Sequence, residues 1–306
     1  MPLSEFSLIY RYFSSLGRGD AVDLGVGDDC AILSLQPGER LATSVDTMVE
    51  GVHFPVEAFP EDIGYRAVAV AASDLAAMGA RPIGMTLALT LPDADEFWLN
   101  TFSQGIAAAV SSFGLPLVGG DTTRGPLSIS VQVMGALPAT GGLLRGGAQV
   151  GDGVYVSGTL GDSAAGLSLL NGDWQCGPDA GEYLHRRFYR PEPRLALGLE
   201  LLQVASAAID ISDGLIADAG HVAAASGVQL RIDSAALPLS VALQLHPDPI
   251  QALRWALSGG DDYELLACLP PVRAVPNGMT LIGQVLEGEG VSCDVDVGDQ
   301  AGFSHF

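Results

Sequence analysis

The sequence predicts an α/β (α+β) protein of two domains, and three observations lead there. Segments with helical periodicity alternate with short strand-like runs along the chain. A glycine-rich stretch without apolar periodicity, 138–150, interrupts that pattern before it restarts. A content of 48% hydrophobic and 16% charged residues over 306 positions is that of a chain with a sizeable core. The boundaries that follow are a first domain at 1–137, a linker at 138–150 and a second domain at 151–306.

In order, Phe6, Ile9, Tyr10 and Phe13 share one face of a first helix. After a Gly/Asp-rich stretch, 41–45 reads as a strand that delivers Asp46 at its end. Pro60 and Glu61 open a long helix through Met78, closed by Gly79, where a residue with positive φ is cheapest. A strand at 83–91 follows, and Asp93, Asp95 and Glu96 set acids at the start of the next helix, where they favour its dipole. That helix ends near Gly114. A short strand, 115–118, runs into Gly119-Gly120-Asp121. Leu127, Ile129, Val131 and Val133 then alternate with Ser128, Ser130 and Gln132 in a half-buried strand over 127–137. The second half restarts with a strand at 154–157, helices at 164–170 and 194–205, a strand ending at Asp210 and a helix over 215–225. Strands at 228–232 and 264–269 complete it.

Fourteen basic residues against 36 acidic ones give a net charge of −22, which argues against nucleic acid or an anionic membrane as partner. All fourteen are arginine. Without lysine the chain builds no Walker A loop, no protein-kinase strand lysine and no pyridoxal-phosphate Schiff base. No signal peptide is read at the N-terminus, and the longest purely apolar run, 67–72, falls far short of the ~20 residues of a membrane span. Cys30, Cys176, Cys268 and Cys293 form no C-x-x-C pair and read as free thiols of a cytoplasmic protein.

The acids sit where solvated charge is poorly placed. Gly27-Asp28-Asp29, Gly119-Gly120-Asp121, Ser212-Asp213-Gly214 and Gly259-Gly260-Asp261-Asp262 each set carboxylates beside glycines that let the backbone approach a ligand. Asp46 and Asp74 are expected to be buried. One Asp-Gly turn alone is an ordinary Asx-type turn. Four of them, with Asp46, Asp74 and Asp210, suggest carboxylates gathered around Mg²⁺, which takes oxygen ligands and bridges to phosphates. Asp74 lies in a helix apolar nearly all round and needs a partner, either an arginine or a metal. His53 is within reach of a substrate phosphate or is an ordinary loop histidine. Arg124 and Arg145, in Gly-rich segments, are natural phosphate forks. Arg186, Arg187, Arg190 and Arg194 read as a solvated face or a domain contact.

Gly27-Asp28-Asp29-Cys30-Ala31, Asp46-Thr47-Met48-Val49-Glu50-Gly51-Val52-His53-Phe54, Ser73-Asp74-Leu75-Ala76-Ala77-Met78-Gly79-Ala80, Gly119-Gly120-Asp121-Thr122-Thr123-Arg124-Gly125, Ser212-Asp213-Gly214-Leu215 and Ser258-Gly259-Gly260-Asp261-Asp262-Tyr263-Glu264 closely resemble the thiamine-monophosphate kinases. These belong to the ATP-binding superfamily of aminoimidazole-ribotide synthetase. The resemblance implies a homodimer in which the N-terminal mixed sheets of two protomers meet in a barrel-like core, each followed by a C-terminal α/β domain. It implies direct transfer of the γ-phosphoryl group of ATP to thiamine phosphate, with several Mg²⁺ ions as cofactors, ATP as co-substrate and no dedicated catalytic base. By position, Asp29, Ser44, Asp46, Asp74, Asp121, Asp210 and Asp213 correspond to metal ligands. Gly120, Asp121, Arg145 and Ser212 correspond to ATP contacts, and His53, Asp261 and Phe303 to thiamine-phosphate contacts. Val45 stands where the family usually has threonine. The competing readings are a selenophosphate synthetase-like or hydrogenase-maturation-like enzyme of the same superfamily, or a non-catalytic acidic metal-binding protein.

Overall fold

The computed structural model describes residues 5–295 and Gly302. They fall into two compact units, one running through Leu75 and taking in Ala80–Gly141, the other comprising Ala76–Gly79 and the chain from Gly142 onward.

In the first unit α1 (Glu5–Tyr12) precedes a small antiparallel pair, β1 (Val22–Leu24) and β2 (Ile32–Leu33). Then come β3 (Arg40–Val49), α2 (Pro60–Met78), β4 (Arg81–Leu91), α3 (Glu96–Phe113), β5 (Leu117–Arg124) and β6 (Ser128–Leu137). Their four-stranded sheet has the order β3-β6-β4-β5, with β6 antiparallel to β3 and β4, and β4 parallel to β5. Ile129, Val131 and Val133 of β6 and Met85, Leu87 and Leu89 of β4 are buried, as is nearly all of α2. The other face of the sheet leaves Thr43, Val45, Thr47 and Gln132 exposed. Asp95 caps α3 by accepting the Trp98 N–H at 2.7 Å, the local role its place before Glu96 suggests.

The second unit contains β7 (Gly153–Ser157), α4 (Asp162–Leu170), α5 (Pro178–Tyr189), α6 (Leu195–Leu201), β8 (Ala207–Asp210), α7 (Leu215–Ser226), β9 (Gln229–Ile232), α8 (Val241–Gln244), α9 (Pro249–Ser258), β10 (Leu265–Leu269), β11 (Met279–Leu286) and β12 (Gly290–Cys293). Its six-stranded sheet runs β12-β9-β11-β7-β10-β8 and is antiparallel except where β12 joins β9. Val154, Val156, Ile209, Leu230, Leu266 and Cys268 of this sheet pack with Leu215, Ala219 and Val222 of α7.

Both sheets are mixed, so alternation of elements here does not mean a parallel sheet. Two further differences bear on the site. The strand expected over 41–45 extends to Val49, which puts Asp46 in mid-strand rather than at a strand end. β5 continues through Gly119-Gly120-Asp121, which the sequence reads as a turn, because pairing with β4 carries the extended backbone across the glycines. Helices α5, α8 and α9 and strands β11 and β12 are not anticipated by the sequence. α5 holds Arg186 and Arg187, whose charges mask its apolar face.

Candidate active site

Strand geometry builds the first cluster. Alternation along β3 turns Ser44 and Asp46 to one face and Val45 to the other, where its side chain is 62% exposed. Asp74, on α2, is half-buried, and Ser44 Oγ donates to its Oδ2 at 2.5 Å. The partner seen for Asp74 is therefore a hydroxyl, with a second carboxylate beside it. Asp46 is likewise half-buried rather than buried. Burial, and next to it the charge of Asp74, push the Asp46 carboxyl up to about 6. Two carboxyl groups that repel and one hydroxyl form an oxygen-only donor set suited to a hard divalent cation.

A second group surrounds a cavity of about 470 Å³ in the same unit, lined by Asp28, Asp29, Gly119, Gly120 and Asp121 together with Phe13, Val118 and others. Asp28 Oδ1 accepts the N–H of the next residue, Asp29, at 2.8 Å, while Asp29 and Asp121 are exposed. Gly120 is required here: a Cβ at this position would lie 2.0 Å from the Leu87 carbonyl oxygen of the neighbouring strand. Half-buried His53 accepts the Val49 N–H on Nδ1 at 3.0 Å, so the neutral ring carries its proton on Nε2. Arg124 donates to the Pro92 carbonyl at 3.0 Å and to Asp93 at 3.2 Å. Its guanidinium is thus already engaged locally.

In the second unit Asp210 closes β8 and is 5% exposed. Ser212 and Asp213, half-buried, follow in a turn that is bonded to the loop over 258–264. The Asp261 N–H donates to the Ser212 carbonyl, the Tyr263 N–H to the Ile211 carbonyl and the Ile211 N–H to the Glu264 carbonyl, each at 2.8 Å. Asp261 and Tyr263 both have positive φ, 69° and 51°, and the Tyr263 hydroxyl donates to Asp261 Oδ1 at 3.0 Å. Such backbone persists only where the surroundings over-determine it, and they do. Asp262 Oδ2 accepts the Gly161 N–H at 2.6 Å, and Glu264 accepts Arg194 at 2.6 and 2.7 Å, Arg187 at 3.0 Å and the Ser157 hydroxyl at 2.5 Å. Burial pushes Glu264 up, but Arg194 and Arg187 outweigh it and hold its pKa below the ordinary value. Burial raises Asp262 to about 8 against the pull of Arg187.

Arg187 and Arg194 are therefore not a solvated face. They are the cationic half of a buried network that supports the 258–264 loop. Sequence reasoning passed over Asp162, gave Glu264 no role, and read Asp262 as a carboxylate facing a ligand, whereas it is buried against the Gly161 N–H. The available signal was the alternation in Asp261-Asp262-Tyr263-Glu264, whose even members are buried. Arg145 is exposed and outside regular structure, its carbonyl accepting the Ser226 hydroxyl at 3.1 Å. Gly302 lies against Asp213 and Ala217, and Phe303 is outside the described residues. Among the described residues, Asp213, Asp218 and His221 bring one ligand atom each within 4.8 Å of the others.

The structure thus groups the candidate residues as Asp29, Gly120 and Asp121 around one cavity, Ser44, Asp46 and Asp74 in one cluster, and Asp210, Ser212, Asp213 and Asp261 on two joined loops. Comparisons with known proteins identify the family. Residues 27–137 match the AIR synthase related protein, N-terminal domain, and residues 149–296 the AIR synthase related protein, C-terminal domain. A thiamine-monophosphate kinase of Salmonella typhimurium is 51% identical over 276 residues, covering 89% of this chain and 85% of its own length. The crystal structure of thiamine-monophosphate kinase from Stenotrophomonas maltophilia superposes with a TM-score of 0.88 at 43% identity, over 97% of this chain and 99% of the other. AaThiL complexed with AMPPCP and TMP superposes with a TM-score of 0.82 at 37% identity, over 89% of each chain.

Proposed function

The chain belongs to the thiamine-monophosphate kinase family of AIR synthase related proteins, and from that premise we infer that it transfers the γ-phosphoryl group of ATP to thiamine phosphate, giving thiamine diphosphate and ADP. The observation that carries the reading is 51% identity to such a kinase over most of both chains. The complex of AaThiL with AMPPCP, an ATP analogue, and TMP supports the same pair of substrates.

The acceptor is a phosphate oxygen already ionised at neutral pH, so no side chain need remove a proton. Catalysis then rests on in-line positioning and on offsetting charge. In this reading Gly120, Asp121, Arg145 and Ser212 hold ATP, with Gly120 and Asp121 lining the cavity of the first unit. His53, through Nε2–H, and Asp261 hold thiamine phosphate, and Phe303 stacks on its ring. Asp29, Ser44, Asp46, Asp74, Asp121, Asp210 and Asp213 would hold Mg²⁺, and the oxygen-only cluster at Ser44, Asp46 and Asp74 fits such a cation. When bound, Mg²⁺ supplies neutralisation of charge on the phosphates in a loose transition state. The exposed face of the first sheet, with Thr43, Val45 and Thr47, is the surface on which a second copy would complete a barrel-like dimer. Free cysteines fit a cytoplasmic setting, and among the described residues no helix is long and apolar enough to cross a membrane.

The test is formation of thiamine diphosphate from ATP and thiamine phosphate under Mg²⁺. No product, together with phosphorylation of another acceptor, would overturn the reading in favour of another enzyme of the superfamily. Calorimetric titration of ATP with and without Mg²⁺ separates both from a mere metal-binding protein, which would take up no nucleotide.

A further inference from the structure

Three successive backbone N–H groups, those of Ser212, Asp213 and Gly214, each lie 3.1 Å from a single carboxylate oxygen, Oδ2 of Asp218. Asp218 stands in the first turn of α7 and is 2% exposed. A buried carboxylate that accepts three N–H bonds fixes the turn's N–H groups to one point, and such charge-assisted bonds are stronger than neutral ones. The opposite side of the turn is held separately. Asp261 N–H donates to the Ser212 carbonyl, and a Cβ on Gly214 (φ 125°) would come within 2.8 Å of the Ser258 backbone. With its three N–H groups and the Ser212 and Gly214 carbonyls engaged, the turn is fixed in the shape that sets out the side chains of Ser212 and Asp213. The Asp218 carboxylate achieves this at a place where Asp213 stands within 4.8 Å, so repulsion between the two acids is accepted for the sake of the turn's shape.

We propose that Asp218 is a positioning residue for the phosphoryl donor: its carboxylate holds residues 212–214 in the conformation in which Ser212 meets ATP and Asp213 meets the cation that accompanies it. The proposal rests on the placement of Ser212 and Asp213 at the nucleotide given above. It goes beyond that placement in assigning the turn's shape to a residue that touches neither substrate.

The test compares Asp218→Ala with the wild-type chain. KM for ATP and the Mg²⁺ concentration for half-maximal rate should each rise at least tenfold, while KM for thiamine phosphate stays within twofold. Amide hydrogen exchange at residues 212–214 should accelerate at least tenfold. A folded variant whose KM for ATP and Mg²⁺ requirement stay within twofold of wild type overturns the proposal. So does a parallel rise in both substrate KM values, which would mark general damage. Should Asp218→Ala fail to fold, Asp218→Glu decides the question, since it keeps the charge and displaces the oxygen by one methylene. KM for ATP should then rise at least fivefold with that for thiamine phosphate unmoved, and an unchanged KM for ATP is the overturning result. Failure of the kinase reading is a separate observation, wild-type chain that makes no thiamine diphosphate. In that event amide exchange and calorimetric affinity for an ATP analogue still decide the role of Asp218.

Discussion

Ser44 Oγ donates to Asp74 Oδ2 across 2.5 Å, and this one bond ties the edge strand β3 to a helix that is otherwise almost wholly buried. It leaves Asp74 with a further oxygen and with Asp46 as an unfavourable neighbour. A cation between the two acids would relieve that repulsion, which makes the cluster the place where loss of a single charge should be felt most.

Asp74→Asn and Asp46→Asn are each expected to lower kcat/KM by roughly 10²–10³, about 3–4 kcal/mol, the usual weight of one preorganised electrostatic contact. Ser44→Ala removes a neutral oxygen of the cluster together with its bond to Asp74, and keeps both charges, so it should cost about tenfold, the worth of one hydrogen bond to a charged group. Steady-state rates at saturating Mg²⁺ measure both. Near wild-type turnover by Asp74→Asn would rule out the cluster as a metal site.

Glu264 is the common acceptor of Arg187 and Arg194, with its side chain 1% exposed. Replacing it by glutamine removes the counter-charge that both guanidinium groups share and leaves buried Arg187 facing the more distant Asp162 at 3.6 Å, and breaking a buried pair in this way typically costs about 3–5 kcal/mol. Urea unfolding of Glu264→Gln should show a loss in that range. A loss under about 1 kcal/mol would mean that the network is solvated and does not support the 258–264 loop.

Asp262 sets a pH dependence whose sign runs opposite to that of a salt-bridged acid. Its carboxyl, raised by burial from 3.8 to about 8, binds a proton in the folded chain that the unfolded chain has already released. Its contribution to stability is full below pH 3.8, falls by about 1.4 kcal/mol per pH unit as pH rises through the window, and is gone above about 8. Asp262→Asn, neutral throughout, should therefore gain on the wild type between pH 6 and 8. Denaturant midpoints across that range test it, and a constant difference between the two proteins would contradict the assignment.

Cys268 lies on β10 with no exposed surface, and burial followed by the charge of Asp152 pushes its thiol up to about 12. Since the thiolate is the reactive form, a thiol reagent at pH 8 should label exposed Cys30 in the native protein and reach Cys268 only on unfolding. Mass-spectrometric mapping of labelled cysteines distinguishes the two. Rapid native labelling of Cys268 would place it on an accessible surface.

Local signals sufficed for much of this molecule. Pro60 and Gly79 bound α2, Asp95 and Gly114 bound α3, and the alternation from Leu127 to Val133 marks β6, because capping, φ preference and strand period act within a few residues. The Asp-Gly strings and the absence of lysine suggest, from the sequence alone, phosphate handled by oxygen-bound cations and arginine, which the substitutions at Asp46 and Asp74 test. Other features depend on what lies opposite in space. Ser44 meets Asp74 thirty positions away, Gly120 is held by the neighbouring strand at Leu87, and Arg187 and Arg194, which look solvated in the sequence, converge on Glu264. Asp218 carries no motif of its own. The partner of a charged group is chosen by strand register and helix packing over long separations, and its desolvation follows from that packing, so only the tertiary structure decides which acids serve a ligand and which hold the backbone that presents them.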